Sequence, residues 1–500
     1  MKNKIYLLAL VALIFTSCSK SFLDNEPYTA TSLSSAIKTE GDLLVALTGT
    51  YSQLRSYYIY GASNAIKGDL QGDNTYITTS NTNRYISLNN FSFVTTDSYA
   101  YYAWYYNYIA IKYANQIINS GLSGTANINE YIGEAYAIRA LSHFELVRNF
   151  AHPYTVAPDD PGVPIIKSFN QDTLPARSTV KEVYAQVISD LEKSYSLLSV
   201  YRGTAYFSKY AVRALEARVY QNQGDWANAK VAALDVINNS GWTLLAPTAY
   251  VAPTGSLGTS FAASTYSPGG YWSSAAVQTS TKNETLFEVA SDVTNNNGFE
   301  SIGSLYLQAG GGYGDILALG DLYNQYSATD VRKGLVVNAG TGYRSGQGGV
   351  TYLAYKYPNA FGTSDRDDTK ILRLADVILI AAEAYYNTSD PVNANIYLNL
   401  VAKKRDPSFT GYASTGTQIL EDILTERRKE LAFEGGRFWD LVRLKRSWTK
   451  VINQSPLKTI SIDASNNSNA SFSKTAPLVY PIPQTEIDAN KNIIQNPEFK

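Results

Sequence analysis

Residues 211–238 read AVRALEARVYQNQGDWANAKVAALDVIN, and this stretch decides the fold class. Ala217, Tyr220 and Ala229 follow one another at steps of three and nine residues, around the turn-forming Gly224-Asp225-Trp226. Small residues let two antiparallel helices approach closely, and the aromatic ring fills the space beside them. The stretch therefore predicts two antiparallel helices joined by a short turn.

The same spacing occurs a second time, in residues 372–404. Ala382, Tyr385 and Ala394 stand at the same steps, around Ser389-Asp390-Pro391. Repeated units of this kind are typical of tetratricopeptide-like arrays, which grow by stacking helix pairs. We therefore predict a mainly α fold, an αα-superhelix scaffold of tetratricopeptide-like helix pairs with long irregular loop insertions and a few short strands.

Apolar residues at steps of three and four predict four further helices. These helices cover residues 42–56, 99–118, 130–150 and 180–198. Ser178 and Thr179 are candidate N-caps of the last one, with Glu182 as the acidic residue of its first turn.

Residues 241–370 have a different character, because they are rich in Gly, Ser, Thr, Asn and Tyr. Turn-forming residues at this density argue against long helices, and short strands are predicted around residues 285–290 and 350–355. We expect helical parts at residues 18–240 and 371–500 on either side of this irregular insertion region, all three forming one compact unit.

The composition excludes several classes of function. The 500 residues carry 42 Lys and Arg against 43 Asp and Glu, a net charge of −1 that argues against nucleic-acid binding. Two His, one Cys and one Met leave almost nothing for a His/Cys catalytic apparatus, an internal disulfide or a Cys-based zinc site. We expect no cofactor and no metal. The unusual number is 40 Tyr against 17 Phe.

The first segment accounts for the Cys and the Met. Lys2 and Lys4 precede an apolar run from Ile5 to Phe15, and small residues then lead to Cys18. The run would rise about 16 Å as a helix, roughly half the hydrocarbon thickness, so it is too short to span a membrane. The segment resembles a bacterial lipoprotein signal peptide, residues 1–17, after which Cys18 becomes the lipidated first residue. A secretory signal without lipidation is the alternative.

The Tyr excess is concentrated near residue 100, where aromatic residues occupy seven of the ten positions from Tyr99 to Tyr108. A helix buries aromatic residues on every side only if it is wholly internal, so several rings are expected to face solvent or a cleft. Tyr and Trp rings offer flat faces with polar tips, which suit the faces and hydroxyls of sugars. Trp104 and Asn107 share one helical face, and Tyr101 and Tyr102 lie beside them. The alternative places Trp104 in the core.

Further candidate ligand-binding residues lie outside this helix. Arg84 and Asp73 precede it and carry charges suited to hydrogen bonds with hydroxyl groups, although both also fit an ordinary surface role. The irregular region contributes candidates for an opposite wall, namely Tyr271, Trp272, Tyr306 and Tyr313.

A block of charged residues at 426–443 is interpreted as structural. Helical spacing places Glu430, Glu434 and Arg437 on one face, with Arg427 and Asp440 flanking them. Arrays of this kind usually form ion-pair networks. The two histidines, His143 and His152, have no Cys or second His nearby and are also interpreted as structural.

Several blocks of the chain, in matching order, resemble the SusD/RagB family of nutrient-binding outer-membrane lipoproteins. They are CSKSFLD (18–24), ALTGTYSQL (46–54), EAYAIRALSHFELVR (134–148), LRLADV (372–377), ERRKELAFEGGRFWDL (426–441), YPIPQTEI (480–487) and NPEF (496–499). The resemblance implies a surface lipoprotein that binds a nutrient, usually a glycan, and pairs with a SusC-like TonB-dependent transporter. It also implies that Trp104 and Asn107, which match an aromatic and an Asn of the family, line the glycan site.

We therefore predict a non-enzymatic protein of the outer membrane, held by its lipid anchor alone, that passes an oligosaccharide to this transporter. Three alternatives stay open. In the first alternative, a protein of the same architecture binds a peptide, as RagB-like proteins do. The protein is a lipid-anchored glycoside hydrolase, which requires two carboxylates across an open cleft. The protein is a helical scaffold without a small ligand.

Overall fold

Helices are the main secondary structure and make up about half of the described residues. The computed structural model describes residues 37–168, 173–272, 283–292, 294–308, 311–344, 348–358, 367–454, 456–464 and 477–500. These residues form sixteen α-helices. They are α1 Glu40–Leu54, α2 Ser63–Leu70, α3 Ile86–Asn90, α4 Ser98–Ile118, α5 Ala126–Phe150, α6 Val180–Leu197, α7 Lys209–Gln223, α8 Trp226–Asn239, α9 Pro247–Tyr250, α10 Ile302–Tyr306, α11 Gly320–Asn324, α12 Leu374–Asn387, α13 Pro391–Arg405, α14 Gln418–Glu430, α15 Arg437–Arg443 and α16 Gln484–Ala489.

The two repeated segments fold as the spacing predicts. The pairs α7/α8 and α12/α13 enclose the four repeated alanines, all fully buried: Ala217, Ala229, Ala382 and Ala394. Their turns match as well, because Gly224 and Ser389 both adopt a left-handed φ, +76° and +61°. Each turn is followed by an Asp that caps the next helix, Asp225 in α8 and Asp390 in α13. The helix α8 packs on α12, which makes the two pairs neighbours.

The remaining long helices extend this arrangement. The helices α4, α5 and α6 pack in succession, and α1 packs on α4 and α5. Thr179 caps α6 and forms a capping box with Glu182, which confirms the predicted start of that helix. The tetratricopeptide-like description of the fold is therefore confirmed.

Short strands lie mainly in the irregular region, where two of them were predicted. The strands are β1 Thr75–Ile77, β2 Thr285–Val289, β3 Ile316–Ala318, β4 Val336–Thr341, β5 Val350–Ala354, β6 Thr369–Arg373, β7 Ser447–Gln454 and β8 Leu457–Asp463. One antiparallel sheet has the order β1-β3-β5-β4, and β2 pairs with β6 and β7 with β8. In the first sheet Thr75 lies opposite Ala318, and Val336 opposite Ala354.

The charged block at 426–443 forms structural ion pairs, but it is not one helix as its spacing suggested. The chain leaves the helical path between α14 and α15, where Phe433 and Gly435 adopt left-handed φ values of +66° and +80°. A Cβ atom on Gly435 would lie 2.5 Å from the carbonyl oxygen of Asn64, so only glycine fits there. Glu430 and Glu434 nevertheless share Arg373 as a partner, whereas Arg437 pairs with Asp73.

Both histidines are structural, as predicted. His143 is fully buried in α5, and its Nδ1 lies 3.1 Å from the carbonyl oxygen of Arg139. His152 is held between Asp160 and Glu498 near the C-terminus, with ring nitrogen to oxygen distances of 3.0 and 2.7 Å.

The predicted signal peptide and Cys18 lie outside the described residues, so lipidation stays a prediction. Within the ranges given above, no helix combines the length and the apolar character needed to cross a bilayer.

Candidate functional site

The helix α4 has two different faces. Asp97 starts it by accepting hydrogen bonds from the amides of Tyr99 and Ala100, at 2.8 and 3.2 Å. The inward face is buried and consists of Ala100, Ala103, Trp104, Asn107, Ala110, Ile111 and Ala114. The outward face carries Tyr101, Tyr102, Tyr105 and Tyr106, none of which is buried.

Trp104 and Asn107 lie on the inward face, which corrects the prediction that they bind a ligand. Trp104 is only 4% exposed, and its ring packs edge-on against Phe150 with centroids 5.0 Å apart. Asn107 donates a hydrogen bond to the carbonyl oxygen of Ala103 at 2.7 Å. The small alanines of α4 allow α5 to approach closely, and Trp104 fills the remaining space. No ring face of Trp104 is left for a sugar.

The outward tyrosines form a continuous aromatic surface with Tyr58, which lies in the loop after α1. We call Tyr58, Tyr101, Tyr102, Tyr105 and Tyr106 the tyrosine surface. Tyr58 stacks on Tyr102 with ring centroids 4.3 Å apart, and it lies nearly parallel to Tyr106 at 6.3 Å. Tyr101 and Tyr105 are nearly parallel at 6.1 Å, and Tyr105 is 43% exposed. Five rings are thus presented to solvent together.

A second row of rings supports this surface from behind. Tyr99 stacks on the fully buried Tyr85 at 4.6 Å, and Tyr57 packs against both. The hydroxyl of Tyr99 accepts the amide hydrogen of Tyr85 at 3.0 Å. Tyr85 and Asn83 both have a left-handed φ, near +60°, a conformation that is costly for residues other than glycine. The two residues flank Arg84 and turn its side chain outward.

Arg84 joins the tyrosine surface to a charged edge. Its Nε and Nη2 donate to the two carboxylate oxygens of Glu300 at 3.2 and 2.6 Å, and Nη2 also donates to the hydroxyl of Tyr313 at 3.0 Å. The guanidinium carbon lies 4.0 Å from the centre of the Tyr313 ring. Phe299, beside Tyr313, is largely exposed and extends the aromatic edge.

The electrostatics of the edge favour neutral hydrogen-bonding groups. Arg84 donates hydrogen bonds to Glu300, and this interaction raises the pKa of Arg84. The guanidinium group therefore stays charged, and its charge is neutralised by Glu300. Burial and the neighbouring Tyr102 ring raise the pKa of Tyr58, and Glu300 adds to this rise. The phenol of Tyr58 therefore stays protonated and can donate a hydrogen bond.

The other predicted site residues lie elsewhere, which corrects four further assignments. Asp73 is bound by Arg437 at 2.6 Å and is part of a structural ion pair. Tyr271 and Trp272 are buried in a separate apolar cluster with Tyr250. Tyr306 is buried against Phe433. Their Gly-rich surroundings suggested exposure, but the chain folds back over these rings.

Known proteins resemble this chain in sequence and in fold. The sequence profile of the SusD family matches residues 217–499, more than half of the chain. The chain belongs to the SusD family. A second SusD-like profile, described as starch-binding and associating with the outer membrane, matches residues 21–221.

Curated SusD-like relatives are similar over almost the full length. SusD-like protein P2 of Formosa agariphila is 24% identical, and the match covers 99% of each chain. A SusD-like protein of Bacteroides ovatus is 25% identical over 88% of this chain and 82% of that protein.

Solved structures of the SusD superfamily share the fold. A SusD superfamily protein from Bacteroides thetaiotaomicron superposes with a TM-score of 0.77 at 28% identity, covering 92% of this chain and all of the other. A second one, from Bacteroides vulgatus, has a TM-score of 0.76 at 26% identity and covers 93% of this chain and all of its own.

Sequence reasoning missed three members of the tyrosine surface, Tyr58, Tyr105 and Tyr106, and two residues at its edge, Phe299 and Glu300. A signal for two of them was present, because Tyr101 and Tyr105, like Tyr102 and Tyr106, stand four residues apart on the face opposite the alanines. No local signal identifies Glu300, which meets Arg84 only through the tertiary fold.

The surface offers no cluster typical of a metal site. Among the residues that the structure describes, no group of three or more His, Cys, Asp or Glu side chains is arranged to hold a metal ion. The chemistry of the site is therefore that of aromatic faces, hydroxyl groups and one ion pair.

Proposed function

We propose that the protein captures an oligosaccharide on the tyrosine surface, without chemical conversion, and delivers it to a SusC-like TonB-dependent transporter. We further propose that it does so as a lipoprotein exposed at the outer membrane and anchored through Cys18. The observation that carries the proposal is the row of five tyrosine rings beside the Arg84–Glu300 pair, in which Tyr105 is exposed and the other four are half-buried.

The chemistry of a sugar fits this surface. Pyranose rings present flat C–H faces bordered by hydroxyl groups, and tyrosines supply apolar faces with a phenol at the edge. Glu300 accepts and Arg84 donates hydrogen bonds, so a hydroxyl group beside the pair finds both kinds of partner. The supporting row of Tyr57, Tyr85 and Tyr99 holds the rings in place before the ligand arrives, which lowers the entropic cost of binding.

The surroundings of the site favour glycan binding over the alternatives. Both carboxylates at this surface are already bonded, Glu300 to Arg84 and Asp97 to the first amides of α4, whereas a glycoside hydrolase needs two available ones. The elements that form the surface are helices and loops, whereas extended peptides are usually bound along the edge of a sheet.

A glycan screen followed by matched variants tests the proposal. An immobilised array of neutral and acidic oligosaccharides, with a set of peptides alongside, is probed with the purified mature chain and identifies the best ligand. We then expect Tyr102→Ala to weaken its binding about twofold to twelvefold, since a stacked aromatic contact contributes about 0.5–1.5 kcal/mol. Arg84→Ala should weaken it as well, because Glu300 is then left without its cation.

The control is Tyr113→Ala, a half-exposed tyrosine further along α4 and outside the tyrosine surface. It should leave the affinity unchanged. Equal affinities of Tyr102→Ala and Tyr113→Ala for the identified ligand would contradict the assigned surface. Binding of peptides but of no glycan in the screen would favour the peptide alternative, and turnover of the bound glycan would favour the hydrolase.

A further inference from the structure

A polar cavity of about 70 Å³ lies between α2, α5, α7 and the segment from Glu434 to Arg443, away from the tyrosine surface. One water occupies roughly 10–15 Å³ of such a volume, so the cavity holds on the order of five water-sized groups. Side chains of both charges line it. The balance between them decides what the cavity can bind.

Most of the charges around the cavity neutralise one another. A chain of alternating charges runs through Arg218, Asp376, Arg427, Asp440, Arg443 and Glu383, with nitrogen–oxygen distances of 2.7–2.9 Å. Every member of the chain has an opposite charge in direct contact. These residues form the wall of the cavity and leave no charge uncompensated.

Lys67 differs from all of them. It is 3% exposed, and its Nζ donates to Oδ1 of Asn149 at 2.6 Å and lies 3.6 Å from the centre of the Tyr480 ring. No carboxylate of the described residues lies within 4.0 Å of this ammonium group, which donates one hydrogen bond and otherwise faces the Tyr480 and Trp439 rings. The similarly buried Lys450, by contrast, donates to the carbonyl oxygens of Thr75 and Val451.

Two further donors on the cavity wall are unused. Arg148 donates through Nη2 to Glu145, but its buried Nε has no acceptor, and its side chain is nine-tenths buried. The buried Nδ2 of Asn64 has no acceptor either. Lys67 and Arg148 line the same cavity and both contact the Trp439 ring, with the Nζ and the guanidinium carbon 5.3 and 4.8 Å from its centre.

We propose that this cavity binds a small oxyanion, of the size of phosphate, sulfate or a carboxylate, between Lys67, Arg148 and Asn64. An oxyanion supplies a negative charge in direct contact with Lys67, which otherwise has only the more distant carboxylates of Glu145 and Asp97, and its several oxygens accept hydrogen bonds from all three side chains. Water alone satisfies the donors but not the charge. Burial lowers the pKa of Lys67, and a bound anion would offset this effect by favouring the charged ammonium group.

The position of the site gives the anion a path and a role. Arg218 and Lys370, at the rim, have side chains that are 21% and 11% exposed, so the cavity communicates with solvent. The three ligating side chains come from α2 and α5, and Trp439 from α15 closes the cavity. Occupancy would therefore tie together elements that are far apart in the chain.

Thermal unfolding of the full mature chain tests the site. Sodium phosphate, sodium sulfate and sodium acetate are each titrated at constant ionic strength, adjusted with sodium chloride. We expect at least one of the three to raise the Tm along a saturating curve, as a ligand that binds only the folded state does. Isothermal titration of the same anion gives the dissociation constant directly.

Two variants and a control make the result specific. Asn64→Asp places a carboxylate in the cavity with almost no change in shape, and it should weaken anion binding at least tenfold. Lys67→Met should abolish the saturating response, and Lys458→Met, an exposed lysine of β8, should leave it unchanged. Asn64→Asp decides the matter if Lys67→Met does not fold.

Excluded salts stabilise folded proteins without a site, but that effect grows without saturation. Two results would overturn the proposal. One is the absence of a saturating response to all three anions in the unmodified protein. The other is a saturating response of equal strength in Asn64→Asp.

Discussion

Glu430 is the centre of a buried ion cluster, and its replacement by Gln provides a sharp test of how the scaffold is held together. It is fully buried at the end of α14, and it contacts three buried arginines: Arg332, Arg373 and Arg405. The distances are 3.1, 2.9 and 3.1 Å, and the hydroxyl of Tyr250 donates to the same carboxylate at 3.0 Å. One carboxylate thus serves strands and helices from distant parts of the chain.

The replacement Glu430→Gln keeps the shape and removes the charge that three guanidinium groups share. Breaking a buried ion pair from one side costs about 3–5 kcal/mol, because the partner charge stays buried without compensation. Glu284, Glu426, Asp330 and Glu434 retain contacts with these arginines, so the expected loss lies at the lower end of that range. We therefore expect the free energy of unfolding to fall by about 3 kcal/mol.

The matched control lies on the same helix. Glu421 pairs with Arg446 at 2.6 Å, but their side chains are 47% and 37% exposed. Exposed pairs contribute about 0.2–1 kcal/mol, so Glu421→Gln should cost less than 1 kcal/mol. Urea unfolding followed by tryptophan fluorescence measures both variants. Similar losses for Glu430→Gln and Glu421→Gln would refute the reasoning.

The pH dependence adds a second check on Glu430. Burial alone would raise its pKa, but Arg405, Arg373 and Arg332 outweigh burial and hold the pKa well below its usual range. Because the pKa of Glu430 is lower in the folded than in the unfolded protein, its charge stabilises the fold above the unfolded pKa of about 4.3. This stabilisation is lost only as the pH falls through the lower, folded pKa. The difference between the protein and Glu430→Gln should therefore stay constant from about pH 6 to 8.

Three further predictions concern other parts of the chain. Gly435→Ala should destabilise the protein more than Gly416→Ala, because of these two glycines only Gly435 contacts the backbone of α2. The left-handed φ of Gly416 alone gives its replacement a cost of about 1–2 kcal/mol. Urea unfolding compares the two variants. His152→Gln should cost less stability at pH 9 than at pH 6. Burial lowers the pKa of His152, but the hydrogen bonds to Glu498 and Asp160 outweigh burial, so the folded pKa is raised. The stabilisation is therefore lost as the pH rises through the folded pKa. Cys18→Ala should move the protein from the membrane fraction to the soluble fraction, as seen by immunoblotting, if Cys18 carries the lipid anchor.

The helical scaffold was predictable because its signals are local. Spacing of alanines, caps and turn residues acts within a few positions, and the predicted helix over residues 180–198 agrees with α6 to within one residue. The prediction of a continuous helix failed at residues 431–436, where a contact with a distant part of the chain interrupts the helix. Gly435 passes against the backbone of Asn64, more than three hundred residues earlier in the chain, and no pattern near Gly435 announces that contact.

The site was predictable only in part, for a related reason. The aromatic pattern indicated α4, whose outward face carries the tyrosine surface, but it did not decide which face is buried. The flat ring of Trp104, its position on one face with Asn107 and its match to a family aromatic suggested a binding platform, whereas the neighbouring alanines show that its face is the packed one. In the irregular region, Tyr313 reaches the surface and Tyr306 does not, a distinction set by which rings the fold happens to cover.

The Tyr excess has two separate physical explanations. On the surface, Tyr58 and Tyr102 present ring faces, and there the hydroxyl group adds a polar tip for a ligand. In the interior, the phenol is a hydrogen-bond donor to a buried carboxylate, as in Tyr60 with Glu145 at 2.8 Å. A phenylalanine would fill the same space but remove one of the hydrogen bonds that this carboxylate accepts and leave it only the bond from Arg148, a loss of about 1.5–3 kcal/mol. A scaffold stabilised by buried charges therefore needs buried tyrosines, whatever it binds, and only the exposed rings beside Arg84 bear on its function.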